Sequence, residues 1–222
     1  MPYFGYARQD RRSAPGEPVG ARVVADALAA SGAHRLIVID PHTAALEAMC
    51  GIPVEMLTAV PALARALAPD VAGHAVVVAP DLGAVKLAEH YASCLARPVA
   101  AVRKTRLTGA TVHAEEIAGD VAGRAALIVD DMISTGATIE AAAQVIVAHG
   151  GTPAIVAATH GLLVGGAASR LRRLPVPRVV TTDSLPQGPA AAHQVESIAP
   201  LLADAIGRLH HDQPLAGLLA HA

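Results

Sequence analysis

Aromatic residues are almost missing from this chain: 222 residues contain no tryptophan, one phenylalanine and three tyrosines. Any core must therefore be filled by alanine, valine, leucine and isoleucine, and a hydrophobic content of 53% supplies them amply. Cysteine is scarce as well. Cys50 and Cys94 lie far apart and fit no metal-ligand spacing, which points to a reduced, cytoplasmic chain with both thiols as small core residues. Charge of one sign is not in excess: the formal net charge of -2 offers no electrostatic footprint for nucleic acid or for an anionic membrane surface. Small polyanions stay open, since binding them needs only local charge. No apolar run is long enough to cross a bilayer and no basic-then-apolar leader opens the chain, so neither membrane insertion nor export is expected.

What is present is an alternation of apolar runs with alanine-rich helical patterns. Helices are expected at residues 18–31, 43–50, 61–67, 83–95, 139–149, 166–173 and 200–210. Strands are expected at residues 35–40, 75–79, 99–103, 154–159 and 178–182, and in the run that begins at Leu127. Strands separated by helices imply parallel βαβ units, whose chemistry lies on the loops that follow the strands. Turn-rich stretches at residues 53–61 and 183–192 are the plausible boundaries, and the tail from residue 211 onward is expected to fray.

The most informative stretch is LIVDDMISTGAT, residues 127–138. A β-branched run ending in Asp130 and Asp131 sets two carboxylates at the end of a strand, where parallel sheets bind their ligands. Carboxylates there can accept hydrogen bonds from vicinal sugar hydroxyls, directly or through Mg²⁺. Ser134, Thr135, Gly136, Ala137 and Thr138 then supply hydroxyls, an unhindered glycine and backbone amides at a helix start, which suits a phosphate dianion. An isolated Asp-Asp pair before a helix more often only caps it, but the whole string closely resembles the phosphoribosyl-pyrophosphate loop of the type I phosphoribosyltransferase fold.

A second string, PYFGYARQDR at residues 2–11, carries Arg8, Gln9 and Arg11. Guanidinium groups fork onto phosphate oxygens and stack on rings, although a charge run taken alone is usually a solvated loop. With its apolar lead-in the string resembles an ATP-site segment of the ribose-phosphate diphosphokinase (phosphoribosyl pyrophosphate synthetase) family. Further matches follow in order. Asp40-Pro41-His42 resembles the family's Asp-Leu-His segment, which implies a role for His42 on Mg²⁺-ATP. Pro80-Asp81-Leu82-Gly83 resembles its Ser-Pro-Asp-x-Gly segment and implies that Asp81 faces Mg²⁺ and the ribose; as a bare residue Asp81 is also a helix N-cap. Residues 102–106 resemble the flexible catalytic loop, with Lys104 and Arg106 in its two basic positions. Residues 159–161 and 181–184 match as architecture.

The resemblance implies an α/β protein built as a type I phosphoribosyltransferase-like parallel sheet flanked by helices, one complete domain with the remnant of a second similar one. Residues 1–57 would be the ATP-side remnant, 58–196 the ribose-phosphate domain, and 197–222 a helix and tail packing back on the first part. The chain would start near the final third of the family's first domain, lacking the loop that contacts a neighbour's adenine. The residues after His42, Ala45, Glu47, Met49 and Cys50 among them, depart from the family's pattern on the ATP side. The implied enzyme binds ATP and ribose 5-phosphate with Mg²⁺ as cofactor and forms a homo-oligomer. Two alternatives stay open: a phosphoribosyltransferase, which would explain the Asp130 to Thr138 loop but not PYFGYARQDR, and an inactive or regulatory paralogue.

Overall fold

The computed structural model describes residues 1–107, 112–188 and 193–219, with the backbone alone at 104–107 and 112–115. It divides into two compact units, one made of residues 1–59 with 199–222 and the other of residues 60–198.

The larger unit is a seven-stranded sheet in the order β5-β4-β3-β6-β7-β8-β9. At its centre β3 (Val76–Ala79) lies between β4 (Val99–Leu107) and β6 (Ala125–Ile133), both parallel to it. All four residues of β3 are buried, as a strand covered on both faces requires. Beyond β6 follow β7 (Thr152–Gly161), β8 (Arg178–Thr182) and β9 (Gln194–Glu196), all parallel. Helices α4 (Val85–Leu95), α5 (Ala137–Ala148) and α6 (Ala167–Arg173) make the crossovers, and α3 (Val60–Leu67) leads into β3. The core contains Val76, Val78, Ile128, Ile133, Ile139, Ile146 and Val156 with several alanines, so small side chains do the filling that aromatics do elsewhere.

The smaller unit pairs β1 (Leu36–Ile39) with β2 (Val54–Leu57) in parallel, covered by α1 (Gly20–Ala30) and α2 (Leu46–Met49). Its remaining helix, α7, spans Ala199–His210. Phe4, Ala7, Ala21, Ala25, Val38 and Leu46 form its core. Two strands rarely hold together unaided. Here the α-amino group of Met1 donates to Ile37 O at 3.1 Å and Ile39 N donates to Pro2 O at 2.9 Å, while Thr58 N donates to Leu218 O at 2.9 Å and Leu57 bridges Leu219.

Several expectations need correction. β2 was not expected: its four residues, buried only at Val54 and Leu57, are too short a run to stand out at the start of the turn-rich stretch 53–61, within which the division between the two units, after Ala59, falls. β4 runs on to Leu107 and pairs antiparallel with β5 (Val112–Ala118), placing Lys104 opposite Glu115 and Arg106 opposite His113. Both basic positions are thus carried on a strand rather than in a loop, and the charged side chains had hidden its period. The tail is not frayed as far as Leu219: Leu215 is buried and Leu218 accepts from β2's end. Cys50 is half-buried and Cys94 exposed, so neither is a core residue.

Amide hydrogen exchange should be slowest in β3, β6 and β7, whose amides open only when the central sheet does, and faster in β1 and β2. Equally slow exchange in β1 would show that the two-stranded unit is as well secured as the larger sheet.

Candidate active site

β6 does not end at the acids as expected but carries Asp130 and Asp131 just before its last two residues, Met132 and Ile133, which are followed by the turn 134–136 and then by α5. Gly136 holds φ +77°, a left-handed conformation that only glycine adopts without steric cost. The turn is fastened from behind. Ile133 O accepts from Leu162 N and Leu163 N, both at 3.0 Å; Ser134 O accepts from Val164 N at 3.0 Å; and Thr135 O accepts from Arg170 Nη1. Three consecutive carbonyls therefore face the segment that leads from β7 into α6. In a trans peptide the next residue's N–H points opposite to the carbonyl, so the amides of Ser134, Thr135 and Gly136 turn the other way. None of the three meets an acceptor among the described residues. With the first-turn amides of α5, of which Ala137 N also donates to Thr135 Oγ1 at 3.4 Å, they make a set of donors suited to an anion.

Beside this lies concentrated negative charge. Burial, first, and then the charges of Asp131 and Asp81 push the Asp130 carboxyl well above the ordinary value of 3.8, partly offset by Asp131 N donating to Asp130 Oδ1 at 2.9 Å. Asp81 Oδ1 accepts from Gly83 N at 2.8 Å and Ala84 N at 3.2 Å, capping the short 3₁₀ turn Leu82–Ala84 before α4 while its field reaches Asp130. Among the described residues, no three His, Cys, Asp or Glu side chains gather into a metal cage.

Arg8, Gln9, Arg11 and His42 belong to the smaller unit. Arg8 and His42 are exposed. Gln9 is engaged at the start of α1: its carbonyl accepts from Ala21 N at 3.1 Å, and its side chain covers Gly20, where an added Cβ would lie 2.1 Å from Gln9 Oε1. Arg11 forks onto Asp10 through Nε at 2.9 Å and Nη2 at 3.1 Å. Arg11 and, less strongly, the Thr43 hydroxyl hold the Asp10 carboxyl below its usual value, so Asp10 ties the basic loop to the residue after His42.

Asp10, Asp40 and Arg170 were missed from the sequence as working residues. Asp40, buried at φ +38°, donates its own N–H to Leu57 O and accepts Ala59 N on Oδ2, both at 2.9 Å, and so shapes the turn into His42. Its place in the Asp-x-His segment was a usable signal. Arg170 gives none, since it acts on a carbonyl 35 residues away.

A family model described as "N-terminal domain of ribose phosphate pyrophosphokinase" matches residues 1–32, and one described as "Phosphoribosyl synthetase-associated domain" matches residues 108–220. The chain is 38% identical over 222 residues to the ribose-phosphate pyrophosphokinase of Caldanaerobacter subterraneus subsp. tengcongensis, covering 98% of itself and 70% of that protein. It belongs to the ribose-phosphate pyrophosphokinase family. A second family member, from Streptomyces avermitilis, is 40% identical and matched over 98% of this chain and 69% of its own length. The crystal structure of phosphoribosylpyrophosphate synthetase from Mycobacterium smegmatis superimposes with a TM-score of 0.85 at 36% identity, over 95% of this chain and 70% of that one. Both the fold class and the choice of a ribose-phosphate pyrophosphokinase over a phosphoribosyltransferase agree with these matches. No helix among the described residues is long and apolar enough to cross a membrane.

Two variants test the electrostatics and the strain. Because Asp130 binds its proton more tightly folded than unfolded, its stabilising contribution is complete below about pH 3.8 and is lost as pH rises through the elevated folded value. Asp130→Asn should therefore melt a few degrees higher than wild type at neutral pH, with the gap closing as pH falls toward 3.8; a gap that widens on acidification would contradict the geometry. Asp40→Asn should be tolerated, whereas Asp40→Ala should cost about 1–3 kcal/mol in chemical denaturation, by loss of a buried acceptor at positive φ.

Proposed function

We propose that this chain performs the family reaction, transferring the diphosphoryl group of ATP to the C1 hydroxyl of ribose 5-phosphate. The C1 oxygen attacks the β-phosphorus, the bond from that phosphorus to the α,β-bridging oxygen breaks, AMP leaves, and the hydroxyl proton is lost to solvent. The observation that carries this is the outward-turned amide set at 134–136 next to an acidic pair at the same strand end.

In this proposal Ser134, Thr135, Gly136, Ala137 and Thr138 hold the 5-phosphate, with the loop amides and hydroxyls donating. Asp130 and Asp131 accept from the ribose hydroxyls. Those donors offset the burial and, after it, the like-charge repulsion that keep Asp130 reluctant to ionise, so binding of the sugar and ionisation of the pair favour each other. Arg8, Gln9 and Arg11 face the nucleotide, with Arg11 oriented by Asp10. Lys104 and Arg106 stabilise the diphosphoryl group as charge moves onto the leaving oxygen, where preorganised cations contribute most.

The donor set suits Mg²⁺. Carboxylate oxygens are hard ligands, Asp130 sits in an excess of negative charge, and Mg²⁺ commonly takes only one or two protein groups, completing its shell with water and phosphate oxygens. Asp81 and His42 are the residues assigned to it, and when bound it supplies neutralisation of the polyphosphate. A cytoplasmic setting and self-association belong to the same proposal. Exposed Met1, Tyr6, Val23 and Ile206, all in the smaller unit, are apolar surface available for association.

Incubation of the pure chain with ATP, Mg²⁺ and ribose 5-phosphate should release AMP in step with 5-phosphoribosyl 1-pyrophosphate; AMP without the ester, or neither, would reject the assignment. Lys104→Ala and Arg106→Ala should each lower kcat by about 10²-fold or more with little change in the ribose 5-phosphate KM, as for contacts made mainly in the transition state.

A further inference from the structure

We propose that Arg170 is the positioning residue of the phosphate turn, acting on the ligand only through the backbone; this rests on the assignment of the 5-phosphate to residues 134–138. The turn's three rear fastenings are not equivalent. Those on Ile133 O and Ser134 O come from backbone amides of residues 162–164, the segment just past the end of β7, where Leu162 N continues the ladder and Leu163 N and Val164 N add to it. The one on Thr135 O comes from the Arg170 side chain alone among the described residues, and it governs the peptide plane that presents the Gly136 amide. That plane is the softest of the three, because Gly136 has the widest choice of backbone conformations.

Arg170 is built for this task. From α6 its Nε lies 2.8 Å from Glu140 Oε2 in the first turn of α5, while Nη1 reaches Thr135 O. Nη1 makes a hydrogen bond and Nε an ion pair that lacks hydrogen-bond geometry, so a single guanidinium links the turn to the helix whose N-terminus completes the proposed cradle. Its stem also backs the glycine: Arg170 Cδ lies 3.7 Å, and Ala167 Cβ and Leu171 Cδ2 3.8 Å, from where a Cβ on Gly136 would stand. Glu140 absorbs the charge behind the turn, so the guanidinium is engaged on the far side of the peptide from the outward amides. A lysine could satisfy Thr135 O but not both partners in one fork.

The test is ribose 5-phosphate binding by calorimetry on the full chain, with steady-state kinetics beside it. Arg170→Met, which keeps the packing stem and removes the donors, should weaken ribose 5-phosphate binding about tenfold and raise its KM in proportion while kcat at saturation changes little. Arg170→Lys should recover part of the affinity. The Gly136 amide resonance, which moves when inorganic phosphate is titrated into wild type, should move less in Arg170→Met. Wild-type affinity in Arg170→Met, or equal weakening in the Met and Lys variants, would overturn the positioning role. If Arg170→Met does not fold, Glu140→Gln decides: it should weaken binding several-fold by loosening the fork, and unchanged affinity overturns the proposal. The doubly substituted Ser134→Ala, Thr138→Ala chain separates the two levels. If that pair binds ribose 5-phosphate as wild type does, the phosphate assignment itself fails; if the pair weakens binding and Arg170→Met does not, only the role of Arg170 fails.

Discussion

The planarity of the peptide bond is the constraint on which this site depends. A carbonyl and the following amide point in opposite directions, so a protein that needs several amides aimed at one place must find acceptors' partners for the carbonyls behind them. Here β7 returns beside β6 and ends level with it, the segment 162–164 that follows donates to the carbonyls of Ile133 and Ser134, and α6 contributes Arg170 to that of Thr135. The sheet order explains why this is possible: β7 is the parallel neighbour of β6, so its exit and the exit of β6 lie at the same end. The amide cluster of this turn, proposed as the phosphate cradle, is thus a product of two adjacent βα connections.

The same strand end concentrates carboxylates at a cost to the folded state. Asp130 is partly buried with Asp131 and within the field of Asp81, and its ionised form is disfavoured for all three reasons. Nothing in the packing of β6 calls for acids there, since the preceding residues Leu127, Ile128 and Val129 are wholly buried and apolar. Strain of this electrostatic kind is what a site for hydroxyl donors or a hard cation looks like before it is filled. Asp81 illustrates how one residue serves two ends, capping the turn into α4 with one oxygen while adding its charge to the cluster.

In the smaller unit, acids organise bases. Asp10 anchors Arg11 and Thr43, and Asp40 closes the turn before His42, so the loops that carry the basic residues and the histidine are connected through carboxylates with little exposure. The positive φ of Asp40 is tolerated because its side chain and main chain both find partners across β2. Exposed ion pairs such as Arg22 with Asp26 add little by comparison.

Much of this was legible from residue order alone. A β-branched run such as Val76 to Ala79 has one stable place, inside a parallel sheet, and the α/β alternation follows from it. Asp130 and Asp131 near a strand end, with small residues before a helix, make up the string whose resemblance supports the proposed sugar-phosphate site. What residue order could not show depends on contacts between distant segments. Charged residues concealed that β4 continues through Lys104 and Arg106, because pairing with β5 outweighs local pattern. A three-residue strand such as β9 carries too little period to be seen. Arg170 looks like any surface arginine until the packing of α6 brings it to Thr135, 35 residues away. Local sequence determined the chemical groups and the strand ends that carry them; only the tertiary structure decided which way the backbone amides point, because that direction is set by acceptors and donors the chain brings together after it folds.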